Sequence, residues 1–184
     1  MSTYNIVAST EGSTVVAEYV SAYESGYKRS DAYQSEAELE CEFIRLLSEQ
    51  GYEYLTIHDE KALINNLRHQ LELINDYIFS DSEWEQFFTN CIANKNEGIV
   101  EKTRKIQTDH VQILHRDNGS TKNIYLIDKK HIHNNRLQVI NQYQEDQGNH
   151  DTRYDVTILV NGLPLVHVEL KRRGVAIREA FNQI

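Results

Sequence analysis

Two carboxylates and a lysine near the end of the chain are the residues best placed to do chemistry. In Val166-His167-Val168-Glu169-Leu170-Lys171, Glu169 and Lys171 stand two apart and share a face of any strand. Val166, Val168 and Leu170 share the opposite face and would supply its burial. Charge on the apolar part of a strand needs a reason, because burying it is costly. Asp155 begins a second strand-like run, Tyr154–Val160, and could face the same place. Two carboxylates would bind Mg²⁺ through oxygen, with the lysine beside them. Such a set suits phosphodiester hydrolysis, where a metal stabilises charge on phosphorus and a second group orients or activates water. The same residues also fit a solvated ion pair on an edge strand, and so short a pattern recurs by accident.

Hairpin geometry adds a condition. A strict two-residue Asn161-Gly162 turn would pair Val160 with Leu163 and set Asp155 opposite Val168, turning Glu169 to the other face. The site therefore needs an odd loop or a bulge. A three-residue Val160-Asn161-Gly162 loop, with Gly162 left-handed, would set Asp155 opposite His167 and diagonal to Glu169. Pro164 cannot donate to a ladder and fits an irregular hairpin.

Other candidates carry less. His131 and His133 would share a strand face and could ligate a metal, but spacing places no third ligand. The Trp84, Phe87 and Phe88 stripe reads as helix core. Neither GxxxxGK[ST], GxGxxG nor GxSxG occurs, and neither Cys41 nor Cys91 has a convincing His partner.

The elements that must position these groups change along the chain. Residues 1–32 read as an extended or loosely packed lead-in. Ser35 and Glu38 form a capping box for a helix to about Gln50, carrying Leu39, Phe43, Leu46 and Leu47 and closed by Gly51. Tyr52–Ile57 reads as a short strand. Leu63, Leu67, Leu71 and Ile74 define a helix over about 60–76, and Ser82 with Glu85 opens a third. Beyond residue 108 the period shortens towards two. His110–His115 and Asn123–Asp128 then form a hairpin around Asp117-Asn118-Gly119, followed by strands at Arg136–Tyr143, Tyr154–Val160 and Leu165–Lys171. Helical spacing returns from Val175 and runs to the last residue, so a fragment of a longer polypeptide is expected. This order predicts an α/β fold, a mixed sheet flanked by helices.

The 184 residues suffice to bury a real core, with 40% hydrophobic and 26% charged residues. No apolar run approaches a membrane span and no signal peptide opens the chain, so a cytoplasmic protein with reduced, buried thiols is expected. The net charge of −9 is unevenly distributed. The first hundred residues hold 18 acids and 6 bases, whereas residues 101–136 hold 8 bases and 4 acids. A locally basic surface on an acidic chain permits a nucleic-acid ligand.

Over Arg153–Lys171 (RYDVTILVNGLPLVHVELK) the sequence resembles the N-terminal endonuclease domain of type I restriction enzyme motor (R) subunits, in their EcoR124I-like group. The resemblance extends to Tyr33–Glu36, Gln50–Glu53, Asp81–Trp84, Lys102–Ile106, Asn123–Lys130 and Arg173–Ile184. It implies a PD-(D/E)xK restriction-endonuclease-like core over residues 33–184. Asp155, Glu169 and Lys171 match the catalytic triad, with Tyr154 where the pattern's name has proline. In this fold a first-helix glutamate often joins the metal site, and Glu36 is the first choice here, Glu40 the second. Gln183 matches the glutamine of a Gln-xxx-Tyr motif whose tyrosine would lie beyond the last residue.

The implied activity is Mg²⁺-dependent hydrolysis of double-stranded DNA. Asp155, Glu169 and the Leu170 carbonyl would hold the metal, and Lys171 would orient water. ATP would serve only the motor domains of a full-length subunit, and the methylation and specificity subunits would be its partners. Phosphate contacts are expected from Lys129, Lys130, Arg172, Arg173 and Gln183, with Lys102, Arg104, Lys105, Lys122 and Arg136 also available. The rival readings are a non-catalytic docking module with a silent nuclease fold and, with less support, a repair exonuclease.

Overall fold

The computed structural model describes residues 3–9, 15–20, 35–147 and 150–171. The chain divides into two compact units, Met1–Cys41 with Glu169–Ile184, and Glu42–Val168.

In the first unit, β1 (Thr3–Ser9) and β2 (Val15–Val20) pair antiparallel, with Thr3 opposite Val20 and an irregularity between Ile6 and Ala8. The lead-in expected over residues 1–32 thus contains a paired hairpin. Tyr4 faces Tyr19, Ile6 faces Ala17 and Ala8 faces Val16, a pairing too short to stand out in the sequence. Helix α1 (Glu36–Glu49), whose residues from Glu42 on are counted with the second unit, opens with the expected box: Ser35 N–H donates to Glu38 Oε2 at 2.7 Å, and Glu38 N–H donates to Ser35 Oγ at 3.2 Å. Gly51, at φ 93°, lies just beyond its end.

The second unit is a mixed α/β body. Its four-stranded sheet runs β3 (Glu53–Tyr54), β6 (Leu137–Gln147), β7 (His150–Val160), β8 (Leu163–Val168). β3 is parallel to β6 and the other pairs are antiparallel, so the sheet is mixed as expected. A separate hairpin pairs β4 (Val111–His115) with β5 (Thr121–Tyr125) around the Gly119 turn, where φ is 80°.

Helix α2 (Glu60–Asn75) packs on both structures. Asp59 caps it, accepting from Ala62 N–H, and a left-handed Asp76 ends it. Its Leu67 and Leu71 join Phe79, Trp84, Phe87, Leu114, Ile124, Leu126 and Leu163 in the larger core. Leu63 and Ala62 pack against a second cluster of Ile57, Ile140, Tyr143 and Leu159. Helix α3 (Asp81–Phe87) continues into a π turn at Phe88–Ile92, and Trp84 and Phe87 are core as expected. Its capping box is Ser80 with Glu83, two residues before the expected Ser82 and Glu85. Ser82 instead donates to Asp117 Oδ1 at 2.7 Å, tying the helix to the β4–β5 turn.

Helix α4 (Ile99–Gln107) lacks a signal in the sequence analysis. Its N-cap is Gly98, which has no side chain to cap with; Glu101 Oε2 accepts from Gly98 N–H at 3.0 Å. Lys105 braces it, donating to Cys91 O at 2.6 Å and Glu97 Oε2 at 2.5 Å. Of the thiols expected to be buried, Cys41 is exposed and Cys91 half-buried. Cys41 lies on α1, between the positions that pack inward. Among the described residues no helix is long and apolar enough to cross a membrane.

Candidate active site

The β7–β8 hairpin carries Asp155 and leads into Glu169. Its turn has two residues, Asn161 at φ 51° and Gly162 at φ 80°, which is the type I′ geometry favoured by an Asn-Gly pair. The three-residue loop expected from sequence is therefore not used. Val160 faces Leu163 and Leu159 faces Pro164; the register then shifts, and Ile158 faces Val166, Thr157 faces His167 and Val156 faces Val168. Leu165 is the extra residue of a bulge. The required irregularity is present, but in the strand after Pro164 rather than in the loop.

Gly162 could be no other residue. A Cβ there would lie 2.6 Å from Leu67 Cα and 3.0 Å from Leu67 N, so the turn rests on the backbone of α2. Asn161 is 1% exposed and fully used. Its Nδ2 donates to Leu126 O at 3.0 Å and Asn135 Oδ1 at 2.8 Å, and its Oδ1 accepts from Arg136 N–H at 2.8 Å.

Asp155 occupies an irregular rung on the β6 side. The ladder passes from Asn141–Val156 to Tyr143–Tyr154, and Gln142, across from Asp155, has φ 54°. Strict alternation would turn Tyr143 away from Ile140, yet both lie in one cluster, with Tyr154 packed against it. Nearby, the Tyr154 and His167 rings stack with centroids 4.0 Å apart, and Thr157 Oγ1 lies 3.0 Å from His167 Nδ1.

Glu169, Leu170 and Lys171 follow β8 instead of extending it, and they belong to the first unit. The expected strand Leu165–Lys171 is thus corrected to Leu163–Val168. β8 is the last strand in the sheet order, and Val166, expected in the core, is 46% exposed. The structure brings Lys171 and Glu169 together, Nζ to Oε1 at 2.5 Å, with side chains 16% and 11% exposed. Within the same unit Glu36 is exposed, whereas Glu40 is buried.

The remaining candidates are spread over other elements. His131 and His133 are exposed around a 3-10 turn at Ile132–Asn134 and do not share a strand face. Among the described residues no group of three or more His, Cys, Asp or Glu side chains is arranged to hold a metal. Lys129 and Lys130 are exposed, and Lys129 Nζ donates to Gln107 O at the end of α4. Lys122 Nζ lies 5.2 Å from the centre of the Tyr77 ring. Lys102, Arg104 and Arg136 are exposed, whereas Lys105 is consumed in its brace. Arg172, Arg173, Gln183 and the helix expected from Val175 lie outside the described residues.

Sequence reasoning treated Asn161 as a turn residue and missed its buried role. The only signal was the Asn-Gly pair itself, which marks a turn but not its surroundings.

The family model described as type I restriction enzyme R protein N terminus matches residues 33–184. The chain is 52% identical over 163 residues to the type I restriction enzyme EcoprrI endonuclease subunit of Escherichia coli, covering 88% of this chain and 52% of the relative. It is 41% identical over 157 residues to the SsaAORF53P endonuclease subunit of Staphylococcus saprophyticus, covering 83% of this chain and 16% of that protein. A third such subunit, SauMSSORF170P of Staphylococcus aureus, is 42% identical over 158 residues, again 83% and 16%. The chain thus spans about half the length of the first relative and a much smaller part of the other two.

Proposed function

Since the chain belongs to the type I restriction enzyme R protein N-terminus family, we propose that it is the nuclease domain of such a subunit, with a PD-(D/E)xK centre that hydrolyses double-stranded DNA in the cytoplasm. Asp155 and Glu169 hold Mg²⁺ together with the Leu170 carbonyl. A first-helix glutamate joins them, Glu36 or, one turn on, Glu40.

The observation that carries this reading is the hairpin register. Val156 faces Val168, so Asp155 and Glu169 are each the next residue beyond a matched pair. The donor set of two carboxylates and a carbonyl is all hard oxygen, which suits Mg²⁺. When bound, the ion would stabilise the charge developing on phosphorus. Lys171, held by Glu169, positions the attacking water and steadies the phosphate. Lys129, Lys130, Arg172, Arg173 and Gln183 contact DNA. In a full-length subunit, ATP drives the motor domains that deliver DNA, and the methylation and specificity subunits complete the assembly.

One observation favours a second reading, a docking module with a silent nuclease fold. The Glu169–Lys171 pair is short and little exposed, as a purely structural ion pair would be. Plasmid cleavage by the assembled complex carrying Lys171→Ala separates the two. Loss of cleavage with retained ATP hydrolysis supports the nuclease; unchanged cleavage supports the docking module.

A further inference from the structure

Residues 127–136 read Ile-Asp-Lys-Lys-His-Ile-His-Asn-Asn-Arg, with one acid among five basic or imidazole side chains. The structure turns that acid inward. Asp128 Oδ1 accepts from the Lys130 and His131 N–H groups, both at 2.9 Å, and its Oδ2 accepts from Asn134 Nδ2 at 2.8 Å. These donors hold the Asp128 carboxyl below its usual range, led by the His131 amide. Asn135 closes the loop from behind, donating to Asp128 O at 2.8 Å and Ile132 O at 2.9 Å. What remains outward is Lys130, His131, Ile132 and His133, all exposed. Ile132, the first residue of the 3-10 turn, is 66% exposed.

The loop is also fixed to the hairpin. Asn135 Oδ1 accepts from both Asp128 N–H and Asn161 Nδ2, at 2.9 and 2.8 Å. Asp155 stands six positions before Asn161, about 20 Å along the strand at a rise of about 3.3 Å per residue.

We propose that Lys130–His133 form a rigid finger for double-stranded DNA, in which Lys130 meets a phosphate and Ile132 enters a groove. This deepens the nuclease reading and rests on it. Exposed apolar residues framed by cations serve minor-groove binders as wedges between base steps.

The test is duplex binding by fluorescence anisotropy over a salt series, with Ca²⁺ in place of Mg²⁺ so that binding is read without cleavage. Lys130→Gln should weaken binding and lower the salt-dependence slope by about one unit. Ile132→Ser should weaken binding severalfold with the slope unchanged, because no ion is released at an apolar contact. Thermal melts of both variants should match the unaltered chain, since both side chains are exposed. Affinity and slope unchanged in both would overturn the finger, as would an unaltered chain that binds no duplex. Asp155→Asn separates the readings: if it abolishes cleavage while the finger variants bind normally, the nuclease stands and the finger falls.

Discussion

Gly162 and Leu67 meet backbone to backbone: the place of a Cβ on the glycine is 2.6 Å from the Cα of the leucine. The hairpin turn is therefore seated on α2 with no space for a side chain. Gly162→Ala combines this clash with an alanine at φ 80°. Together these should cost about 3 kcal/mol, which for a chain of this size lowers the melting temperature by about 6–12 °C. A calorimetric scan checks it. Gly119→Ala is the control, since its φ is also 80° but nothing lies within 4 Å of its missing Cβ; it should show the backbone cost alone.

Glu83 gives the fold an acid limit. Its carboxylate, 5% exposed, accepts from Tyr77 OH at 2.7 Å and from the Ser80 and Asp117 N–H groups, both at 3.1 Å. The Tyr77 hydroxyl is the main cause that holds its pKa below the ordinary value. A carboxyl depressed in the folded state stabilises above the unfolded pKa and loses that contribution as pH falls through the folded one. Melting temperature should accordingly drop below about pH 4.5, near the unperturbed glutamate value. The gap between the unaltered chain and Glu83→Gln should be widest near neutrality and narrow in acid. A constant gap from pH 7 to pH 3 would show that Glu83 acts only through shape.

Asp155→Ala or Glu169→Ala should abolish DNA cleavage by the complete complex and leave ATP hydrolysis unchanged, because the proposed metal site serves one and not the other. Coupled assays of linear DNA product and released phosphate read both. Loss of ATP hydrolysis with either change would refute a separate nuclease centre.

The two thiols should react in order. Cys41 is exposed, whereas burial raises the Cys91 thiol pKa. Alkylation at pH 8 followed by mass spectrometry should find Cys41 modified first, with Cys91 lagging until the chain is unfolded.

Elements with strong local signals were legible. Ser35 and Glu38 announce α1, and the i+4 leucines of α2 announce their buried stripe. Helix α4 was missed because Ile99, Val100 and Ile106 are its only apolar residues and Gly98 is a poor cap. The Ser80 box was overlooked beside the equally plausible Ser82-x-x-Glu85. Around the candidate site, residue types were readable but their placement was not. The alternation Val166, Val168, Leu170 reads as a buried face, yet β8 lies last in the sheet order with Val166 exposed. Whether a sheet continues past a strand is a tertiary fact that no local pattern contains. The need for an irregular hairpin was legible from parity, and its location at Leu165 was not.

That single extra residue makes the hairpin sensitive to insertion and deletion in a way composition does not reveal. With Leu165 removed, Val166, His167 and Val168 could keep Ile158, Thr157 and Val156 as partners, and each would stay on its present face. A second residue removed with it would shift every later residue by one partner and turn it to the other side, a frameshift written in three dimensions. The bulge is therefore a reserve of one residue: between Gly162 and Val168 the hairpin can lose Leu165 without a change of face, and nothing more.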